Sequence, residues 1–154
     1  MVWRMLHEPA FKPGDHPTKI TIEATPTAVR AALADARAVW CNAGIAISIC
    51  DTAEQVLAEV LNNVVEHAQA DRPDGLIELA ISRSGDSMIC DVRDDGAPMP
   101  GLCLPAGDMA EIDGDLQSLP EGGFGWYMIR TLTEDLNYER RDGCNHLHFR
   151  ILAG

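Results

Sequence analysis

Residues 76–94, LIELAISRSGDSMICDVRD, decide the fold. Apolar and polar side chains alternate through 76–83 and again through 87–93, with Gly85-Asp86 between the two runs. Alternation with a period of two is the signature of a strand with one buried face, and a short Gly-containing break between two such runs is a hairpin signal. A hairpin of this kind belongs to a largely antiparallel sheet covered on one side only.

The rest of the chain extends this frame. Ile20 and Ile22 alternate with Thr21 and Glu23, giving a short strand ahead of the hairpin. Leu136 and Tyr138, then Leu147, Phe149 and Ile151, give two strands after it, joined near Asp142-Gly143. Thr25-Pro26 supplies a helix cap followed by proline in the first turn, and Val29, Leu33, Ala36 and Trp40 carry the helical period up to Gly44. Asp51-Thr-Ala-Glu54 reads as a capping box that starts a second helix running to about Gln69. A third helix is predicted over 124–134. The order strand, helix, helix, two strands, loop, helix, two strands predicts an α+β fold, a two-layer α/β sandwich. Its sheet is mixed but mostly antiparallel, with the helices on one face. Residues 1–18, polar and holding Pro9, Pro13 and Pro17, read as an N-terminal arm, and 19–154 as one domain.

The 154 residues carry a formal charge of −12, which argues against phosphate-mediated nucleic-acid binding and against an anionic membrane surface. No run reaches the roughly 18 apolar residues of a membrane span, and no secretory signal is visible, so the cytoplasm is expected. The five cysteines never form Cys-x-x-Cys, and four stand in apolar context, so buried free thiols are expected and zinc is not. His146 and His148 fall together on the wet face of a strand.

Three segments carry chemistry. Glu59, Asn63 and His67 follow at four-residue spacing along the edge of an apolar arc made by Val56, Leu57, Val60, Leu61 and Val64. A carboxylate held there is partly desolvated and suits a general base, while an Asn carbonyl one turn on can ligate Mg²⁺. Asp94 closes a strand on the same side as Met88, Cys90 and Val92. An unpaired carboxylate is costly on that side, and an exocyclic amine such as that of adenine would satisfy it. Gly96 would let a flat ring approach the backbone. Gly122-Gly-Phe-Gly125 opens a helix whose free N–H groups favour anions, yet no lysine follows as in a P-loop. Taken singly, each segment has a plain structural reading: a helix border, an Asp-Asp-Gly turn, a glycine cluster. Between the second and third lie residues 97–121, rich in Pro and Gly and without periodicity, as lids often are. Asp108, Glu111, Asp113 and Asp115 do not fit a calcium loop, because the glycine falls at the wrong offset.

In this order the segments resemble the N, G1 and G2 boxes of the GHKL (Bergerat-fold) ATPase superfamily, which includes gyrase B subunits and histidine kinases. More closely, the chain resembles the small anti-sigma-factor serine/threonine-protein kinases of bacteria, over about residues 20–152. The motifs are Glu59-x-x-x-Asn63-x-x-x-His67, Val92-Arg-Asp94-Asp-Gly96-Ala-Pro98, Gly122-Gly-Phe-Gly125-Trp-Tyr-Met-Ile-Arg130 and Tyr138-x-x-x-x-Gly143-x-Asn145. The resemblance implies ATP and Mg²⁺ as cofactors. It implies Glu59 as base on a partner's serine, Asn63 as Mg²⁺ ligand, Asp94 as adenine acceptor and Gly96 beside the ring. Gly122, Gly123 and Gly125 would offer backbone to the phosphates, and His67 would be structural. It further implies a STAS-domain anti-anti-sigma partner, a sigma factor and a homodimer. Two departures stand out. Pro98 replaces the second glycine of the adenine box, and no Lys or Arg occurs between Arg93 and Arg130. The second departure supports an alternative, a nucleotide-sensing module that sequesters a regulator without phosphoryl transfer. A detached histidine-kinase ATPase domain would need a phospho-accepting helix hairpin, for which residues 1–24 are too short and too rich in proline.

Overall fold

The computed structural model describes residues 17–72, 74–107 and 123–151. Most of the expected N-terminal arm, the acidic cluster from Asp108 to Asp115, and Gly122 therefore lie outside the described residues. The elements are β1 (Thr18–Glu23), α1 (Pro26–Asn42), α2 (Ile47–Asn63), β2 (Leu76–Ser84), β3 (Ser87–Asp94), α3 (Gly123–Leu132), β4 (Thr133–Arg141) and β5 (Cys144–Ile151). A π-turn, Val64–Ala68, continues α2, and a short 3₁₀ turn spans Pro100–Leu102.

Among the described residues five strands lie in the order β1-β2-β3-β5-β4, and every neighbouring pair is antiparallel, so the sheet expected to be mostly antiparallel is antiparallel throughout. Both predicted hairpins form. Ser84 faces Ser87 across Gly85-Asp86, and Arg141 faces Cys144 across Asp142-Gly143. Asp142 and Gly143 both have positive φ, as a two-residue turn matched to strand twist requires.

The inward strand residues are those of the alternating pattern: Ile22, Ile77, Leu79, Ile81, Met88, Cys90, Val92, Leu147, Phe149 and Ile151 are all buried. They pack against Val29, Leu33 and Trp40 of α1, Val56, Leu57, Val60 and Leu61 of α2, and Trp126 and Ile129 of α3. The other face carries polar pairs, such as the ion pair of Arg93 with Glu78 at 2.7 Å and the contact of His148 Nδ1 with Asp91 Oδ1 at 2.7 Å. His146 and His148 belong to that face, as their register opposite Arg93 and Asp91 requires.

The first helix begins as read: Thr25 Oγ1 accepts from the Ala28 N–H at 3.1 Å, with Pro26 at N1. The second does not. It starts at Ile47, four residues before the expected capping box, with Ala46 as N-cap and no side-chain cap bond. Asp51 instead sits in the second turn and pairs with Arg37 of α1 at 2.6 Å, so its carboxylate ties two helices rather than capping one. The helix α3 is also shorter than expected, because Thr133 and Glu134 already pair with β5. Of the cysteines, Cys50, Cys90 and Cys144 are buried, whereas Cys41 and Cys103 are exposed. Apolar neighbours in sequence did not guarantee burial, since Cys41 is exposed in the last turn of α1.

Candidate functional site

A cleft of about 720 Å³ opens between the C-terminal part of α2, the end of β3, the loop after it and the start of α3. Its walls include Asn63 and His67 from the α2 side, Val92 and Asp94 from β3, Trp126 from α3, and Tyr138 and Asn145 from the β4–β5 hairpin. Segments more than sixty residues apart in the chain therefore share one cavity.

Asp94 is the most constrained charge in it, only 4% exposed. Its Oδ1 accepts from the Gly96 N–H at 2.8 Å, from Asn145 Nδ2 at 3.1 Å and from Gln69 Nε2 at 3.4 Å. Burial pushes this carboxyl above the ordinary value, the three donors pull it back and the nearby Asp95 charge pushes it up again. The expectation of an unpaired carboxylate is thus corrected: Oδ1 is well supplied by the protein itself. The turn that follows is braced from both sides. Arg72 Nη1 donates to Asp95 O at 2.6 Å, and Arg140 Nη1 donates to Gly96 O at 2.7 Å and Asn145 Oδ1 at 3.0 Å. The Tyr138 hydroxyl donates to Asn145 Oδ1 at 2.6 Å and accepts from the Met99 N–H at 3.1 Å.

Gly96 does not line the cleft. A Cβ at this position would overlap the Ala68 carbonyl, whose oxygen accepts from the Ala97 N–H at 2.8 Å. In this structure, then, glycine is required for the close approach of the π-turn to the Asp94 turn.

Asn63 lines the cleft with Nδ2 buried and without a hydrogen-bond partner. Half a rotation of the carboxamide presents Oδ1 in the same place, the hard oxygen that Mg²⁺ takes. The residues thus fit a magnesium ion. Among the described residues, no group of three or more His, Cys, Asp or Glu is placed to hold a metal.

Glu59 stands one turn before Asn63, half-buried and not on the cleft wall. It meets Gly125, where an added Cβ would stand 2.6 Å from Glu59 Oε2. Gly123 opens α3, so the carboxylate lies against the first turn of a helix whose unpaired N–H groups attract anions. His67 is exposed at the rim of the cleft. Arg130, the first cation after Arg93, donates through Nε to Pro105 O at 2.9 Å and so holds the loop wall against α3.

Gln69, Trp126 and Arg140 belong to the site although no motif reading marked them for it. Trp126 is itself part of a quoted motif and Arg140 lies at an unspecified position inside another, so both could have been suspected from that alone. Gln69 could not, since it follows a π-turn whose extra residue per turn no regular helical wheel reproduces.

Compared with known proteins, residues 22–151 match the family described as the histidine kinase-like ATPase domain. The chain is similar to the serine/threonine-protein kinase BtrW of Bordetella bronchiseptica, 32% identical over 92 residues. That match covers 58% of this chain and 61% of the relative's length. Among solved structures, the chain resembles the RsbU and RsbW domains of a Mycobacterium tuberculosis protein, with a TM-score of 0.61 and 21% identity. The likeness covers 90% of this chain and 32% of that one, and it bears on the fold. Among the described residues no helix is long and apolar enough to cross a membrane.

Proposed function

The chain belongs to the histidine kinase-like ATPase domain family, and from that premise we propose that it is an ATP- and Mg²⁺-dependent protein-serine kinase. Its substrate would be a STAS-type anti-anti-sigma partner in a partner-switching circuit. The observation that carries this reading is the shared cleft, in which a buried carboxylate on β3 and a half-buried carboxamide on α2 face one cavity beside the first turn of α3.

The roles follow from the chemistry. Asp94 accepts from the adenine amine, with Oδ1 already fixed by protein donors and the second oxygen left to the ligand. Ala97, Met99 and Val92 give the ring an apolar wall. Asn63 holds Mg²⁺, which when bound neutralises charge on the phosphate oxygens. The opening of α3 at Gly123 offers backbone N–H groups to the phosphates, and Gly122 belongs to the same cradle by its motif position. Glu59, beside that helix opening, takes the proton from the partner's serine Oγ as Oγ bonds to the γ-phosphorus. The bond from that phosphorus to the bridging oxygen breaks, and ADP leaves. The product carries a phosphate dianion at the contact surface, which repels an acidic partner of charge −12 and separates the two proteins. A sigma factor as the alternative occupant, a homodimer and a cytoplasmic location complete the proposal.

The test is transfer of labelled phosphate from ATP to the partner recovered by pull-down on this chain. Label on a partner serine, lost with Glu59→Gln, supports the reading. A second reading has its own support: no Lys or Arg occurs between Arg93 and Arg130, and Arg130 Nε is engaged by Pro105. With no Lys or Arg from this stretch to meet the transferring group, the domain would sense nucleotide and sequester a regulator. ATP binding without any label on the captured partner selects that alternative.

A further inference from the structure

Gln69 is 4% exposed and sits where α2 ends and the Asp94 turn begins. Its backbone N–H donates to Val64 O at 2.9 Å, which closes the π-turn. That closure brings two groups onto the turn after β3. The Ala68 carbonyl accepts from Ala97, and the Gln69 carboxamide stands between two carboxylates. Nε2 lies 3.4 Å from Asp94 Oδ1 and 3.3 Å from Asp95 Oδ1. Its Oε1 is buried and unpartnered, against Gly75, where any Cβ would overlap it. The amide is oriented by charge: two anions face its N–H₂ end, and its oxygen accepts burial without a partner to allow this.

We propose that Gln69 is a positioning residue for the purine-binding carboxylate, keeping Asp94 charged and aimed into the cleft while tying it to the helix that carries Glu59 and Asn63. This rests on the nucleotide reading above and deepens it. Among the described residues the groups facing Asp94 are few. Gly96 N–H and Asn145 Nδ2 donate to it from its own turn and from β5. Asp95 repels it, and the Arg72 guanidinium is engaged by Asp95 at 3.3 Å to Oδ2 and 2.6 Å to the carbonyl. Arg140 on β4 is engaged by Gly96 O and Asn145 Oδ1, and the Tyr138 hydroxyl by Asn145 Oδ1. Of the described donors to Asp94, Gln69 is the one supplied from the α2 side, and it is neutral. A lysine there would compete with adenine for the carboxylate; a leucine would leave two acids facing each other without a shared donor.

The experiment uses the full chain and two variants, Gln69→Glu and Gln69→Leu. Mg-ATP affinity is measured calorimetrically as a function of pH, and the Asp94 carboxyl is titrated by carbon NMR without nucleotide. The proposal expects Gln69→Glu to move the acid limb of binding and the Asp94 titration upward together, by about one pH unit or more, because a third carboxylate joins the buried Asp94 and its exposed neighbour Asp95. Gln69→Leu moves both the same way by less. Both variants titrating Asp94 as wild type does, with affinity lower by one constant factor at all pH, would overturn it and leave Gln69 a packing residue. If wild type binds no Mg-ATP, the nucleotide reading fails, and the titration still decides whether Gln69 governs Asp94. Should Gln69→Leu not fold, the nearly isosteric Gln69→Glu carries the test.

Discussion

Glu59 and Gly125, sixty-six positions apart, are in contact: a side chain of even one carbon at 125 would fall 2.6 Å from the Glu59 carboxylate. The proposed base and the opening turn of α3 are thus fitted to each other, and the absence of a side chain at 125 makes that possible. Gly125→Ala is expected to push the Glu59 carboxylate aside. Since displacements near 1 Å can cost about 100-fold in rate, phosphate transfer should fall on the order of 100-fold, with a smaller change in ATP affinity. Rapid-quench transfer assays beside calorimetry separate the two. Equal losses in both would place the effect on the fold rather than on the base.

Glu59→Gln keeps the shape at that contact and removes the basicity. ATP affinity should stay within about threefold of wild type while transfer to the partner falls by roughly 100-fold or more, as loss of a general base does. Transfer at wild-type rate would exclude Glu59 from that role.

For Asp94→Asn the expected effects on stability and on binding have opposite signs. The folded carboxyl lies above its ordinary value, mainly through burial. A raised acid contributes stability below its unfolded value that is lost as pH rises through the folded one, so the ionised group costs stability at neutral pH. Asn removes that cost and retains an oxygen for Gly96 and Asn145. The melting temperature at neutral pH should therefore hold or rise, while ATP affinity falls roughly 10- to 100-fold, the worth of a hydrogen bond to a charged group. In wild type, binding should weaken as pH falls through the raised Asp94 value, measurable by the same titration. A melting temperature that drops while affinity is unchanged would contradict both halves.

Gly96→Ala meets backbone rather than a flexible side chain, since the Ala68 carbonyl occupies the space. Overpacking of this sort costs typically about 1–3 kcal/mol, and here it also separates the π-turn from the Asp94 turn. Chemical denaturation should show that loss even without nucleotide. An unchanged midpoint would mean that the two turns are free to move apart.

Thiol accessibility offers a check on the packing. Cys41 and Cys103 are exposed, and Cys50, Cys90 and Cys144 are buried. Burial raises the Cys50 thiol to about 11 and pushes Cys90 further still. Under native conditions a maleimide should label Cys41 and Cys103 first, and mass spectrometry of tryptic peptides reads the order.

What the chain determined by itself is local or periodic. Alternation in 76–94 imposed the hairpin and the buried face of the sheet, Thr25-Pro26 fixed a helix start, and Asp142-Gly143 fixed a turn. In each case a residue's own backbone preference or a repeat of two decides the outcome. Motif order likewise allowed Asn63 and Asp94 to be named before any geometry, and both line the cleft. Tertiary structure decided what depends on neighbours distant in sequence. Asp51 became a partner of Arg37 instead of a cap, because α1 lies alongside α2. Gly96 proved to be required by Ala68, because a π-turn presses a carbonyl onto it. Gln69 entered the site because that same turn rotates it between Asp94 and Asp95. Such roles arise from steric overlap and charge proximity between segments that meet only after folding, and no single stretch of sequence encodes the meeting.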